Sequence, residues 1–149
     1  MVSAYDLSVY IIQCANERNI PISHLKLQKI LYYVQGSYLS EFGKPLFEED
    51  IEAWPYGPVV RDVYYRYVQF GALNLKVTEL NHRLDVTEKE LICIKNVIDK
   101  KLPLSASALV EASHSEDPWL QQKDKVDCGM KPIIPIERIY RYFSGVRND

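Results

Sequence analysis

Between Leu25 and Gly71 the apolar positions recur at helical spacing, then alternate, then recur at helical spacing again. Leu27, Ile30, Leu31, Val34 and Tyr38 fall on one stripe, which predicts an amphipathic helix. Ser23 stands where its hydroxyl accepts from an orphan amide at the helix start. Gly43 follows the last periodic residue, Phe42, where a left-handed residue is least strained, and Pro45 forbids continuation. Ile51-Glu52-Ala53-Trp54 alternates as a short strand does. Gly57-Pro58 then opens a second predicted helix, with Val60, Val63, Tyr64 and Tyr67 as its stripe and Gly71 at its end. The unit is a helical hairpin with a rigid aromatic corner, Trp54-Pro55-Tyr56-Gly57-Pro58, and the rest of the chain is expected to pack around it.

The flanking segments follow the same rules. Ser3 or Asp6 caps a first helix running to about Asn19, with Ala4, Leu7, Ile11 and Ala15 on one face, and Pro21 ends it. Leu73, Leu75 and Val77 alternate with polar residues as a half-buried strand over 73–78, and Leu84-Asp85-Val86 is expected to pair back on it. Thr87-Glu88-Lys89-Glu90 is a capping box for a helix bearing Leu91, Ile94, Val97 and Ile98. Lys100 and Lys101 suit its negative end, and Pro103 stops it. Ser105 caps a shorter helix with Ala108, Leu109 and Ala112. Ser113 to Trp119 is a polar turn, 121–132 is a loop, and Pro135 starts a last helix striped by Ile136, Ile139, Tyr140 and Phe143. Residues 145–149 are expected to fray.

These elements amount to a mainly α fold: a single compact helical domain of five to six helices with a small β-ribbon, spanning 1–149 with its core at about 4–143. A chain of 149 residues with 47% hydrophobic and 26% charged side chains suits one soluble domain. A net charge of −2 argues against a general nucleic-acid binder. Cys14, Cys93 and Cys128 are scattered and odd in number, so neither a disulfide framework nor a zinc ribbon is expected, and at least two are assigned to buried helix faces. With no charged n-region followed by an apolar run, and no long apolar window, the expected setting is cytoplasmic, away from membranes.

Catalytic motifs are missing. There is no phosphate-binding glycine loop and no nucleophile elbow. The three histidines, His24, His82 and His114, have no partner at metal-binding spacing, so no metal or cofactor is expected. His114 with Glu116 and Asp117 is the one acid–base candidate, set against a helix-ending histidine held by hydrogen bonds. Tyrosine is more informative: seven of the eleven lie between Tyr32 and Tyr67. Tyr32, Tyr33, Tyr38, Tyr64 and Tyr67 read as core-bordering rings with hydroxyls at its edge. Tyr65 and Arg66 fall off the stripe and Arg61 lies beside the corner, so they suit a protein-binding surface. Lys26 and Lys29, flanking Gln28, read as a solvated face, and Gly36 in mid-helix as a point of close helix approach.

Leu25-Lys26-Leu27-Gln28-Lys29-Ile30-Leu31-Tyr32-Tyr33-Val34-Gln35-Gly36, Gly43-Lys44-Pro45-Leu46-Phe47 and Glu52-Ala53-Trp54-Pro55-Tyr56-Gly57-Pro58-Val59 together resemble the Panacea domain. That is the family of SocA-like antitoxins and phage-associated proteins of the same type. Ser113-His114, Pro118-Trp119 and Ile139 to Phe143 follow in the family's order. Arg61, where many relatives carry proline, and Ser113, where threonine is common, depart from the pattern. The resemblance implies a mostly helical, non-enzymatic antitoxin that neutralises a cognate toxin by direct contact. One member type acts as an adaptor delivering its toxin to a cytosolic AAA+ protease. The candidate contact residues are Trp54, Tyr56, Gly57, Pro58, Arg61, Tyr65 and Arg66, with His114 and Trp119 from the later turn. Homo-oligomerisation is left open. The alternatives are a prophage-encoded protein acting on a host factor, or a hydrolase- or transferase-type enzyme using His114.

Overall fold

The structure, a computed structural model, describes residues 1–77 and 81–145. The first helix, α1 (Ala4–Glu17), begins where Ser3 Oγ accepts from Asp6 N at 3.0 Å. It ends two residues before Asn19, which turns left-handed at φ 54°. The second, α2 (His24–Phe42), is capped by Ser23, and Gly43 closes it at φ 71° with its amide on Leu39 O. Both caps and both breaks of α2 fall where the local chemistry places them.

Its burial does not follow one stripe. Thirteen of the nineteen residues of α2 are buried, including Lys26, Gln28, Lys29 and Gln35, so the helix is enclosed around its circumference. The expected solvated face of Lys26 and Lys29 is therefore a correction. Each buried polar side chain meets backbone instead: Lys26 Nζ reaches Leu102 O, Lys29 Nζ reaches Pro58 O at 2.9 Å, and Gln35 binds Leu46 N and Phe47 O. Buried polar groups are tolerated when they are hydrogen-bonded in this way.

The ribbon lies at the corner. Strand β1 (Glu52–Trp54) pairs antiparallel with β2 (Gly57–Val59), opposing Ala53 to Pro58 and Trp54 to Gly57. Pro58 thus sits in a strand, not at a helix start, because Ala53 N goes outward to Pro132 O and this pair leaves its backbone groups facing away from the ladder. A proline with no amide is harmless there. Helix α3 (Arg61–Tyr67) starts three residues later than expected and runs into a 3-10 turn, Val68–Phe70, ended by Gly71.

The ribbon expected from 73–78 and 84–86 does not form: 73–77 and 81–86 hold no strand, Thr78 lies outside the described residues, and the ribbon present is the one at the corner. Leu75 is buried, but the backbone bonds go elsewhere than a strand: Leu75 N to Ile22 O, Asn16 Nδ2 to Leu75 O and Val77 N to Asn16 Oδ1. Gln13 holds His82 N and O in the same fashion.

Helix α4 (Glu88–Lys101) has the full capping box of Thr87 and Glu90, and α5 (Ala106–His114) is capped by Ser105. Two short helices follow, α6 (Asp117–Leu120) and α7 (Lys123–Asp127), the latter inside the stretch expected to be loop. The last, α8 (Ile136–Phe143), turns Ile139 and Phe143 inward and leaves Ile136 and Tyr140 exposed. Among the described residues the six longer helices answer to the five or six expected, and the two short ones are additional.

Helix α2 is the axis: α1, α3, α4, α5, α8 and β2 all pack on it. Gly36 marks the approach of α8, for a Cβ there would fall 2.3 Å from the Phe143 ring. Tyr32, Tyr33 and Tyr38 are buried with hydroxyls bound at the edge, the first two on the Glu116 carboxylate and the third on Glu90. Cys14 and Cys93 are buried and Cys128 is exposed, all as free thiols.

A clamped aromatic corner as the candidate binding site

Strand β1 ends at Trp54, and Pro55 and Tyr56 form the turn into Gly57. Gly57 takes φ 108°, and an added Cβ would lie 2.6 Å from Ser113 Oγ and 2.7 Å from Lys29 Cε. The turn therefore needs glycine twice over, for its backbone sign and for the closeness of α5 and α2 beneath it.

Three of its carbonyls are held by helix side chains. Trp119 Nε1 donates to Trp54 O at 2.8 Å, His114 Nε2 donates to Pro55 O at 2.8 Å, and Lys29 Nζ donates to Pro58 O. A carbonyl only accepts, so the His114 proton sits on Nε2. The ring also lies 4.2 Å from that of Trp119. Gln28 closes the far side, accepting from Val60 N at 2.7 Å and donating to Val60 O at 3.2 Å. On the outer side Glu52 accepts the Trp54 indole N–H at 2.9 Å and the Nε–H and Nη2–H of Arg61. The corner is fixed by α2, α3, α5 and α6 together.

The charges are set by this packing. Burial holds the Lys29 ammonium down to about 7. Burial, with Lys29 adding to it, also lowers His24. Burial pushes Glu52 upward, yet Arg61 and the Trp54 indole outweigh it and keep the carboxyl below its ordinary value. Lys131, at the end of the connection from α7, lies 4.1 Å over the Trp54 ring.

Of the nine candidate contact residues, the structure brings Trp54, Tyr56, Gly57, Pro58, Arg61, His114 and Trp119 into the corner. Trp54, Gly57, Pro58 and Trp119 are buried supports, whereas Tyr56 projects with 65% of its surface exposed. Tyr65, 63% exposed, joins the corner through Tyr64, its edge on that ring at 5.3 Å. Arg66 does not join it: its guanidinium lies over Tyr5 of α1, 4.3 Å from the centroid. Sequence reasoning missed Lys29, Gln28, His24 and Lys131, because each acts through a partner distant in the chain. It also missed Glu52, whose partners Trp54 and Arg61 are near but meet it only once the ribbon folds back. Among the described residues no three His, Cys, Asp or Glu side chains could hold a metal ion, and no helix is long and apolar enough to cross a membrane.

These features define a mainly helical scaffold that carries a clamped aromatic hairpin on its surface. Residues 27–120 match the family described as "Antitoxin SocA-like, Panacea domain", and the chain belongs to that family. The matched span contains all nine candidate residues. The chain is 34% identical over 116 residues to "Antitoxin SocA" of Caulobacter vibrioides (strain NA1000 / CB15N). That alignment takes in 68% of this chain and 60% of the relative, so the chain spans about 60% of the length of the curated protein it matches. No solved structure matches it.

Proposed function

We propose that residues 4–143 act as one antitoxin unit that binds a cognate toxin directly and performs no chemistry of its own. The observation that carries this reading is the corner: a turn with three carbonyls, those of Trp54, Pro55 and Pro58, bonded to helix side chains, and with Tyr56 and Tyr65 left exposed at its tip and flank. Rigid aromatic side chains lose little entropy on binding and are enriched among the residues that dominate protein interfaces. Membership of the SocA-like family supports the same reading. His114 supports it too, since its Nε2 is committed to Pro55 O and its ring to Trp119, which makes it part of the scaffold.

The setting we propose is the cytoplasm. A AAA+ protease as a second partner rests on the family resemblance alone. The test is co-expression with the product of the neighbouring gene. Restored growth together with co-purification of the two chains is the expected result, and failure of both would end the antitoxin reading.

A further inference from the structure

Between the hairpin and α3 lies a cleft of about 400 Å³ whose walls are Trp54, Pro55, Tyr56 and Tyr64, with His24 at one end. That is the low end for a ligand pocket, enough for one large side chain rather than a cofactor. Gln28 and Glu52 beside it are committed, Gln28 to Val60 and Glu52 to Arg61 and the Trp54 indole, while His24 Nδ1 is buried without a hydrogen-bond partner among the described residues. Lys131 is the cation at the rim, lying over the Trp54 ring; Glu52 feels its charge, but the Glu52 oxygens are taken by Arg61 and the Trp54 indole, and no carboxylate lines the cleft among the described residues. It also stands outside the family-matched span, 27–120.

We infer that this cleft receives one large apolar side chain of the toxin, flanked by a carboxylate that pairs with Lys131. The inference rests on the antitoxin reading and specifies its contact. Aromatic walls supply the area that burying such a side chain requires, and the rim charge selects acidic over basic neighbours. A basic flank meets Lys131 and the paired Arg61 with no free acid to receive it. Tyr56, standing proud of the turn, forms the lip against which the incoming side chain packs.

The test uses the whole chain and two capped tripeptides, acetyl-Glu-Trp-Glu-amide and acetyl-Lys-Trp-Lys-amide, followed by NMR at the Trp54 indole and the amides of Tyr56, Tyr64 and Lys131. The acidic peptide is expected to shift these signals saturably and to bind about fivefold more tightly than the basic one, the upper end for an exposed ion pair. Lys131→Glu, a substitution at an exposed site, should invert the preference. Shifts confined to other residues, or a preference that Lys131→Glu leaves unchanged, would overturn the assignment. If co-expression rescues growth while the peptides leave the cleft unmoved, the cleft falls and the antitoxin reading stands. If the acidic peptide fills the cleft while rescue and co-purification both fail, the cleft serves a partner other than a toxin and the antitoxin reading falls.

Discussion

Gln28 on α2 and Val60 at the start of α3 pair as two strands would, the side-chain amide taking the Val60 N–H at 2.7 Å and giving its own to Val60 O at 3.2 Å. Both residues are buried, and β2 ends at this point with no third strand beside it among the described residues. The amide does the work of that strand. Val60 O also receives Tyr64 N, so removal of the amide falls chiefly on Val60 N–H. Gln28→Leu, of similar volume, is expected to destabilise the protein by about 2 kcal/mol, the desolvation cost of one buried orphan donor. Gln28→Glu should cost at least as much, because it buries a charge facing Val60 O. Urea unfolding of both variants checks this, and a loss below about 0.5 kcal/mol in each would show the pair to be incidental.

Gly57 sits where positive φ and a crowded floor coincide. Lys29 Cε, one of the two atoms a methyl group would strike, is the far end of a side chain, but that side chain is buried and bonded to Pro58 O, so it has little room to yield. Gly57→Ala is expected to lose about 2–4 kcal/mol, strain and overpacking together. Gly43→Ala is the control. Its φ is also positive, but nothing lies within 4 Å of an added Cβ, so only the backbone strain, about 1 kcal/mol, should appear. Thermal melts of the two variants separate the contributions, and equal losses would remove the close-approach argument.

What could be read from the chain divides along the same line between local and distant partners. Ser3, Ser23, Gly43, Thr87 and Ser105 act on backbone groups within four residues, so composition and spacing reveal them. Pro58 reads from sequence as a helix start and lies in a strand, because its fixed φ suits an outward-facing strand pair equally well. Only the bond from Ala53 N to Pro132 O, 79 residues away in sequence, decides between them. Likewise, alternation at Leu73, Leu75 and Val77 reports which side is buried and not what receives the backbone. Here the receivers are Ile22 O and the Asn16 amide, so a strand pattern appears without a strand. The aromatic corner was visible as a motif. Its supporting lysine looked like solvent-facing surface, since nothing nearby in sequence hints at the carbonyl it meets.

That lysine gives the protein a pH signature. Burial holds Lys29 down to about 7, while an unfolded lysine titrates near ~10.4. Below pH 7 both states carry the proton and the full penalty of burying charge is present. Above it the folded state releases a proton that the unfolded chain keeps, so stability rises with pH. The neutral amine still donates to Pro58 O, so the clamp survives. The rise is opposed from about pH 7.5 and reversed above about 8.5, because unfolded thiols ionise around 8.5 while burial keeps Cys14 raised and Cys93 up to about 12. His24, lowered in the fold, acts only below about 6.5. Lys29 adds about 1.5 kcal/mol between pH 7 and 8.5 and the two thiols take back just under ~1. A net gain of about 1 kcal/mol is therefore expected in wild type and a loss of about that size in Lys29→Met. A wild-type curve that is flat over that range, or a slope that the variant retains, would refute it.

The corner separates side chains that support from those that touch, and substitution should do the same. Tyr56 and Tyr65 project, so Tyr56→Ala and Tyr65→Ala are expected to leave stability within about 0.5 kcal/mol of wild type. If they contact the toxin, each should weaken the complex by about 1–3 kcal/mol, the range of a well-placed aromatic anchor. Trp119 is the opposite case. Trp119→Phe keeps most of the ring but removes the donor to Trp54 O, so it should cost about 1–2 kcal/mol of stability. Binding should then fall only as far as the folded fraction does. Melting temperatures measured beside affinities for the neighbouring gene product distinguish the two classes. Wild-type binding by both tyrosine variants, with binding abolished in a fully folded Trp119→Phe, would move the contact surface away from the tip of the hairpin and onto its base.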